Sequence, residues 1–122
     1  MTAAPFARQQ RLLKPSEYQR VFARARRWSH PLLTVLWRPN DLGRARLGLA
    51  VSKRQLRTAV ARNRFKRQVR ESFRLHNRDL GSNDIVVMAR AAALTAPNPE
   101  LSKALVAAWQ HMSKACESSS SG

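Results

Sequence analysis

The residues best suited to chemistry are cations concentrated in one segment, from Lys53 to Arg74. This segment holds nine lysine and arginine residues and a single acid, Glu71. An arginine guanidinium can hold two phosphate oxygens at once and can also stack on a base, whereas a lysine acts as a point charge. The segment is therefore suited to binding a polyanion. Its cations are Lys53, Arg54, Arg57, Arg62, Arg64, Lys66, Arg67, Arg70 and Arg74.

Helical spacing of the small and apolar residues predicts that the cations from Arg62 onward lie on a folded helix. Thr58 is a suitable N-cap, and the pattern continues to about Leu75. Most of the cations fall on the back of this helix, while Arg62 and Arg64 flank its apolar stripe on opposite sides. A rigid helix can aim guanidinium groups at a shaped polyanion, whereas a disordered tail can only attract one. The stripe consists of Ala61, Phe65, Val69, Ser72 and Phe73.

The charge of the whole chain also indicates a polyanionic partner. Lysine and arginine total 23 against 7 acids, a formal net charge of +16 over 122 residues. Nucleic acid is the first candidate, because neutralised phosphates release their condensed counterions. An anionic membrane surface is the rival, but no apolar run approaches the roughly 20 residues of a spanning helix. The N-terminus also lacks the apolar centre of a secretory signal, so we expect a cytoplasmic protein.

A basic helix could also serve three other binding functions. A DNA-recognition helix usually mixes Gln, Ser or Asn with Arg to read base edges, whereas this helix is nearly all phosphate-seeking. A helix lying on a membrane would need bulky Trp and Leu anchors that the apolar stripe lacks. We therefore expect neither DNA nor a membrane as partner. A ribosomal or ribosome-assembly protein that binds RNA would share the charge and remains the alternative.

Residues for autonomous catalysis are not apparent. His30, His76 and His111 lie far apart in the sequence, and no carboxylate pair has the spacing to hold two metal ions for phosphodiester cleavage. Carboxylates that converge only in the fold stay open at this point. Cys116 is the single cysteine, so one chain can form neither a disulfide nor a thiolate metal site. We predict no catalytic residue and no metal ligand in the protein.

The domain organisation follows from length and composition. A chain of 122 residues suits one domain, and its 43% hydrophobic residues suffice for one modest core. Residues 13–115 are predicted to form this domain. Residues 1–12 are predicted to be a flexible basic N-terminus, and residues 116–122 a disordered serine-rich tail.

The remaining elements should support the basic helix. A short helix from Pro15 to about Ala25 places Tyr18 and Phe22 on one face. Strands at 32–37 and 47–51 look like an antiparallel pair, and the second has a face of small residues with room for a ligand or a helix. A buried strand follows at 84–90, and a last helix starts at Asn98. Because the basic helix connects two strands, we predict a βαβ unit within an α/β sandwich containing a small sheet.

Four segments together resemble the protein component of bacterial ribonuclease P over about residues 11–112. They are Lys14-Pro15-Ser16-Glu17-Tyr18 through Phe22, Arg46-Leu47-Gly48-Leu49-Ala50-Val51-Ser52-Lys53-Arg54, Ala59-Val60-Ala61-Arg62-Asn63-Arg64-Phe65-Lys66-Arg67 and Asp84-Ile85-Val86-Val87-Met88-Ala89-Arg90. This resemblance implies a subunit of the ribonucleoprotein that removes the 5′ leader from precursor tRNA. It also implies that the catalytic groups and Mg²⁺ belong to the RNA subunit, and that the βαβ crossover is left-handed.

The resemblance assigns two groups of residues. The first faces the catalytic RNA and comprises Lys53, Arg54, Arg57, Arg62, Asn63, Arg64, Lys66, Arg67 and Arg70. The second is a cleft between the first helix and the sheet, which receives the single-stranded leader and comprises Tyr18, Phe22, Val35, Gly48 and Ala50. Some family members have an aromatic residue where this chain has Val35, and Trp37 or Trp28 could substitute. An aromatic pair at i, i+4 also suits a core, so that interpretation of Tyr18 and Phe22 stays open.

Overall fold

The computed structural model describes the backbone of residues 11, 12 and 14–120, with side chains as far as Ala115. Its elements confirm the predicted order and add one strand, β1. The predicted tail at 116–122 lies outside the described side chains, as does most of the predicted N-terminal segment. The helices are α1 (Pro15–Ala23), α2 (Ala59–His76) and α3 (Asn98–Ser120), the strands are β1 (Arg26–Ser29), β2 (Leu33–Pro39), β3 (Arg46–Ala50) and β4 (Asn83–Ala89), and short 3-10 turns span Asn77–Leu80 and Ala91–Leu94.

The four described strands form one mixed sheet in the order β1-β2-β4-β3. β3 and β4 are parallel and joined through α2, which confirms the βαβ unit. The predicted antiparallel pairing of β2 with β3 is wrong, because β4 lies between them and pairs antiparallel with β2. The almost fully buried, apolar β4 suits a central position, where both of its edges are covered. The left-handed crossover stays a prediction.

β1 has no signal in the sequence, because the segment Arg-Arg-Trp-Ser lacks an alternating apolar pattern. It forms an antiparallel edge strand beside β2, with Trp28 opposite Val35. Three of its four residues are exposed. Charged residues are common on edge strands, where they discourage pairing with other chains.

The two faces of the sheet are covered differently. Side chains such as Leu33, Val35 and Ile85 pack against α2 and α3 in the main core. On the opposite face, Val21 of α1 and Leu12 of the segment before α1 pack against Val86 in a smaller cluster. The N-terminal segment also pairs with the sheet edge, since the Leu12 N–H donates to the Leu47 carbonyl over 3.0 Å.

The predicted apolar stripe fixes α2 to the main core. The Thr58 hydroxyl accepts from the Ala61 N–H over 3.1 Å, which confirms the N-cap. Ser72 accepts from the indole Nε1–H of Trp109 over 2.8 Å and so links α2 to α3. With this stripe buried, the helix presents its basic side outward. The buried residues are Ala61, Phe65, Val69 and Phe73.

Candidate nucleic-acid interface

The outer side of α2 and the segment before it carry a dense cationic surface. Glu71, the one acid of this region, is paired with Arg74 one turn away. The hydrogen bond from Arg74 lowers the pKa of the Glu71 carboxyl, so it stays ionised and the pair is neutral as a unit. The other cations are left to set the local charge. We call this surface the α2 basic face; its exposed members are Lys53, Arg54, Arg57, Asn63, Arg67 and Arg70, and Lys66 is half-buried.

Arg64 reaches back into the protein. Its Nη1 donates to the Ala96 carbonyl over 2.9 Å and to Asn98 Oδ1 over 3.1 Å. Its Nη2 donates to the Ala93 carbonyl over 2.8 Å. Arg64 therefore ties α2 to the turn that precedes α3 and to the first residue of α3.

Arg62 makes a similar local connection on the other side of the stripe. Its Nη1 donates to the Leu56 carbonyl over 2.9 Å and to the Arg57 carbonyl over 3.3 Å. Both arginines flank the buried stripe, a position from which a long side chain can reach neighbouring carbonyls. Asn63, between them, is exposed. The sequence shows that both arginines flank the stripe, but it does not predict the carbonyl acceptors of Arg64, which lie 29 and 32 residues further along the chain.

Tyr18 fills the small-residue face of β3. A Cβ atom placed on Gly48 would lie 2.7 Å from Tyr18 Cε1, so the ring occupies the space that glycine leaves. The Tyr18 hydroxyl accepts from the Leu49 N–H over 3.3 Å. The face thus receives α1, one of the two occupants predicted for it. Ala50 is half-buried beside the smaller apolar cluster.

Phe22 lies one helical turn beyond Tyr18 and is much more accessible. Its residue is 47% exposed, a large fraction for an aromatic side chain in a folded domain. It borders a cavity of about 410 Å³, and we call this cavity the Phe22 cleft. Its wall is mainly apolar, and the other lining residues are Ala25, Arg27, Thr34, Leu36 and Met88.

Val35 does not belong to this cleft. It is fully buried in the main core, on the face of the sheet that packs against α2 and α3. Its neighbours Thr34 and Leu36 face the cleft instead. Side chains alternate along a strand, so an error of one residue in predicting which side chains of β2 face the cleft assigns Val35 to the wrong face of the sheet. The proposed substitutes Trp37 and Trp28 also pack with the main core, so neither can complete an aromatic surface beside Phe22.

An ion network positions α1 on the sheet. Arg46 of β3 donates from Nε and Nη2 to the two carboxylate oxygens of Asp84 on β4, each over 2.8 Å. Its Nη1 donates to Glu17 of α1 over 2.7 Å. The hydrogen bond with Asp84 raises the pKa of Arg46, partial burial opposes this, and Glu17 adds to it. Arg38 of β2 also donates to the carbonyl of Arg20 over 2.9 Å. These roles have no signal in the sequence, since all the partners are distant in the chain.

The described part of the chain contains no three His, Cys, Asp or Glu side chains that lie together in a group that could hold a metal ion. No helix within it is long and apolar enough to cross a membrane. His30 and His111 both lie against the ring of Trp28, with centroids 5.6 Å and 6.2 Å away.

Comparisons with known proteins identify the family. The sequence model named Ribonuclease P matches residues 6–113, most of the chain. The chain belongs to the ribonuclease P protein family. The ribonuclease P protein component of Photobacterium profundum is 51% identical over 114 residues, which are 93% of this chain and 97% of that protein. The one from Methylococcus capsulatus is 50% identical over 116 residues, 95% of this chain and 91% of that protein.

Solved structures of the ribonuclease P protein share the fold. The RNase P protein of Staphylococcus aureus has a TM-score of 0.76 at 29% identity, covering 88% of this chain and 94% of that chain. The one from Thermotoga maritima has a TM-score of 0.74 at 25% identity, covering 83% and 96%. The resemblance seen in the sequence is confirmed. As a ribonuclease P protein component, the chain is an RNA-binding subunit of a tRNA-processing ribonucleoprotein and partners the ribonuclease P RNA.

Proposed function

We propose that this protein binds the catalytic RNA of ribonuclease P through the α2 basic face and the 5′ leader of precursor tRNA through the Phe22 cleft. It thereby assists the Mg²⁺-dependent removal of the leader, and it does so in the cytoplasm. The observation that carries this proposal is the one-sided arrangement of α2. One side is buried in the core, and the other presents cations whose single acidic neighbour is already paired.

The α2 basic face suits a structured RNA. Five of its cations are exposed, so their charged groups can reach phosphates without any rearrangement of the protein. They are Lys53, Arg54, Arg57, Arg67 and Arg70. Each phosphate neutralised releases condensed counterions, which makes binding favourable at low salt. The helix is rigid because its stripe is packed, so the cations keep a fixed spacing. A fixed spacing favours a folded RNA over a flexible strand.

Arg62 and Arg64 support this face in a different way. Their guanidinium groups already donate to carbonyls of the chain, which fixes the start of α2 and its contact with α3. We therefore assign them mainly to holding the exposed cations in place. Asn63 stands exposed between them and can offer its amide to the RNA.

The Phe22 cleft suits a single strand of variable sequence. Stacking of a base on an aromatic ring contributes about 1–3 kcal/mol and tolerates any base, since every base has a π-face. Leu36 and Met88 supply apolar surface around the ring, and Arg27 supplies a cation for the backbone. Tyr18 positions α1, and with it Phe22 one turn further along the helix, because its ring is packed against Gly48.

The chemistry of cleavage is assigned to the RNA subunit, together with the Mg²⁺ ions it needs. The described carboxylates do not fit a metal site of their own. Glu17 and Asp84 both accept from Arg46, and Glu71 is paired with Arg74. No described cluster of three potential ligands remains. We therefore assign the metal-dependent steps to the RNA subunit.

Reconstitution tests the proposal. The protein is mixed with a bacterial ribonuclease P RNA at low Mg²⁺, and cleavage of precursor tRNA at the mature 5′ end is measured. We expect the protein to increase the rate, and a variant with Arg54, Arg57 and Arg67 all changed to Gln to increase it less at the same folded concentration. If the wild-type protein leaves the rate unchanged, the proposed function is wrong.

A further inference from the structure

A second cavity lies between α1 and the α2 basic face. It has a volume of about 260 Å³ and lies at the outer edge of β3. Tyr18 of α1 forms one side, Lys66 and Arg70 of α2 form the other, and Arg11 and Leu12 approach from the N-terminal segment. We call it the Tyr18 pocket. It is separate from the Phe22 cleft, with which it shares no lining residue.

The polar side chains of this pocket are all able to donate hydrogen bonds. Arg11, Lys66 and Arg70 are cations, and no carboxylate lines the cavity. Lys66 and Arg70 form no ion pair with any residue that the structure describes. The Tyr18 oxygen accepts from the Leu49 N–H, which leaves its own hydrogen to donate. Donors and cations without an acid favour an anion over a base, a sugar or a cation.

The position of the pocket narrows the choice of anion. Tyr18 and Phe22 are one turn apart on α1, a rise of about 6 Å along the helix axis. Lys66 and Arg70 likewise lie one turn apart on α2 and belong to the α2 basic face. A ligand in this pocket would therefore touch the α2 basic face and lie one turn of α1 away from Phe22. A phosphate within an RNA chain has the charge and acceptor oxygens that the donors require.

We propose that the Tyr18 pocket binds one RNA phosphate, held jointly by Lys66, Arg70 and the Tyr18 hydroxyl. The inference deepens the proposed function, on which it rests, by naming the group that is bound and the side chains of α1 and α2 that hold it. The phosphate can come from the precursor leader or from the catalytic RNA. The chemistry of recognition is the same for both sources, so the experiment separates them.

The test is a double-variant cycle measured in two binding assays. Tyr18→Phe removes the hydroxyl and keeps the ring, and Lys66→Gln removes the cation and keeps most of the length. Affinity is measured for the catalytic RNA alone, and then for precursor tRNA by the reconstituted holoenzyme. Arg67→Gln is the matched control, because Arg67 is an exposed cation of the same helix that does not line the pocket.

Joint binding of one phosphate makes the two changes non-additive. We expect each single variant to lose about tenfold to a hundredfold in affinity in the assay whose RNA supplies the phosphate, as for a hydrogen bond to a charged group. The double variant should lose clearly less than the product of the two losses. In the control pair, the affinity losses of Tyr18→Phe and Arg67→Gln should instead multiply. Arg70→Gln replaces Lys66→Gln in the cycle if the latter lowers the unfolding temperature.

The outcomes are distinct. Non-additive losses for the catalytic RNA assign the phosphate to that RNA, and non-additive losses only for precursor tRNA assign it to the leader. Losses that multiply in both assays, or no loss in either, would overturn the proposal. Failure of the proposed function looks different, because the wild-type protein would then bind catalytic RNA without improving the binding or cleavage of precursor tRNA.

Discussion

The substitution Gly48→Ala tests the packing of Tyr18 on β3 most directly. The added methyl would lie 2.7 Å and 2.8 Å from Cε1 and Cζ of Tyr18 and 2.9 Å from Cδ1 of Leu12. These distances are well below van der Waals contact. The ring cannot simply retreat, because its hydroxyl is hydrogen-bonded to the Leu49 N–H one residue further along β3.

The expected cost combines two opposing effects. Overpacking of a well-filled site costs typically 1–3 kcal/mol. Replacing glycine by alanine in a strand also restricts the unfolded chain, which stabilises the protein by about 0.4–1 kcal/mol. The φ angle at Gly48 is not among the positive values of the described chain, so alanine adds no backbone strain. We therefore expect Gly48→Ala to lower the free energy of unfolding by about 1–2 kcal/mol and the unfolding temperature by roughly 5 °C.

Thermal and urea unfolding of four proteins measure this effect. They are the wild type, Gly48→Ala, Tyr18→Ala and the double variant. Removal of the Tyr18 ring opens the space that the methyl needs, so Gly48→Ala should cost little or nothing in the Tyr18→Ala background. The coupling between the two sites should therefore be about 1 kcal/mol or more. Equal costs of Gly48→Ala in both backgrounds would refute the packing argument, as would a Gly48→Ala protein as stable as the wild type.

Three further predictions concern the two proposed surfaces. Arg64→Ala should lower the free energy of unfolding by about 1–3 kcal/mol, because partly exposed hydrogen bonds to three acceptors are lost. The dependence of catalytic RNA affinity on salt concentration should hardly change, and a logarithmic salt slope that falls by about one unit would show a phosphate contact instead. Phe22→Ala should weaken holoenzyme binding of leader-bearing tRNA by about 1–3 kcal/mol and leave mature tRNA unaffected; equal losses for both substrates would contradict the leader role. Val35→Ala should cost about 2 kcal/mol of stability by forming a core cavity, and a selective loss of leader affinity at unchanged stability would show that its placement is wrong.

Local patterns in the sequence were sufficient to predict the helices, the small-residue face of β3 and the βαβ unit. The apolar stripe of α2 and its Thr58 cap depend on residues within one or two turns, and both are present. The alternation of Leu47 and Leu49 with Gly48 correctly placed small residues on one face of β3. The βαβ unit followed from element order alone. Each of these features is set by neighbours close in the chain, so a single sequence contains the needed information.

Pairings between distant segments were not available from the same patterns. β1 was missed because Arg26 and Arg27 give its segment no alternating apolar pattern, and the strand is recognised by its pairing with β2. The insertion of β4 between β2 and β3 depends on the whole sheet. The bidentate contact of Arg46 with Asp84 joins residues 38 positions apart, and neither residue has a local signal.

The sequence by itself determined the chemistry of this protein: a strongly basic chain, a rigid cationic helix, and a match to the ribonuclease P protein family. The tertiary structure decided how individual residues are used. It placed Val35 in the main core, directed Arg62 and Arg64 toward carbonyls of the chain, and brought Tyr18 beside Lys66 in one pocket. The physical reason is that charge and periodicity belong to one segment, whereas the face a side chain meets and the acceptor it finds depend on segments brought together only by folding.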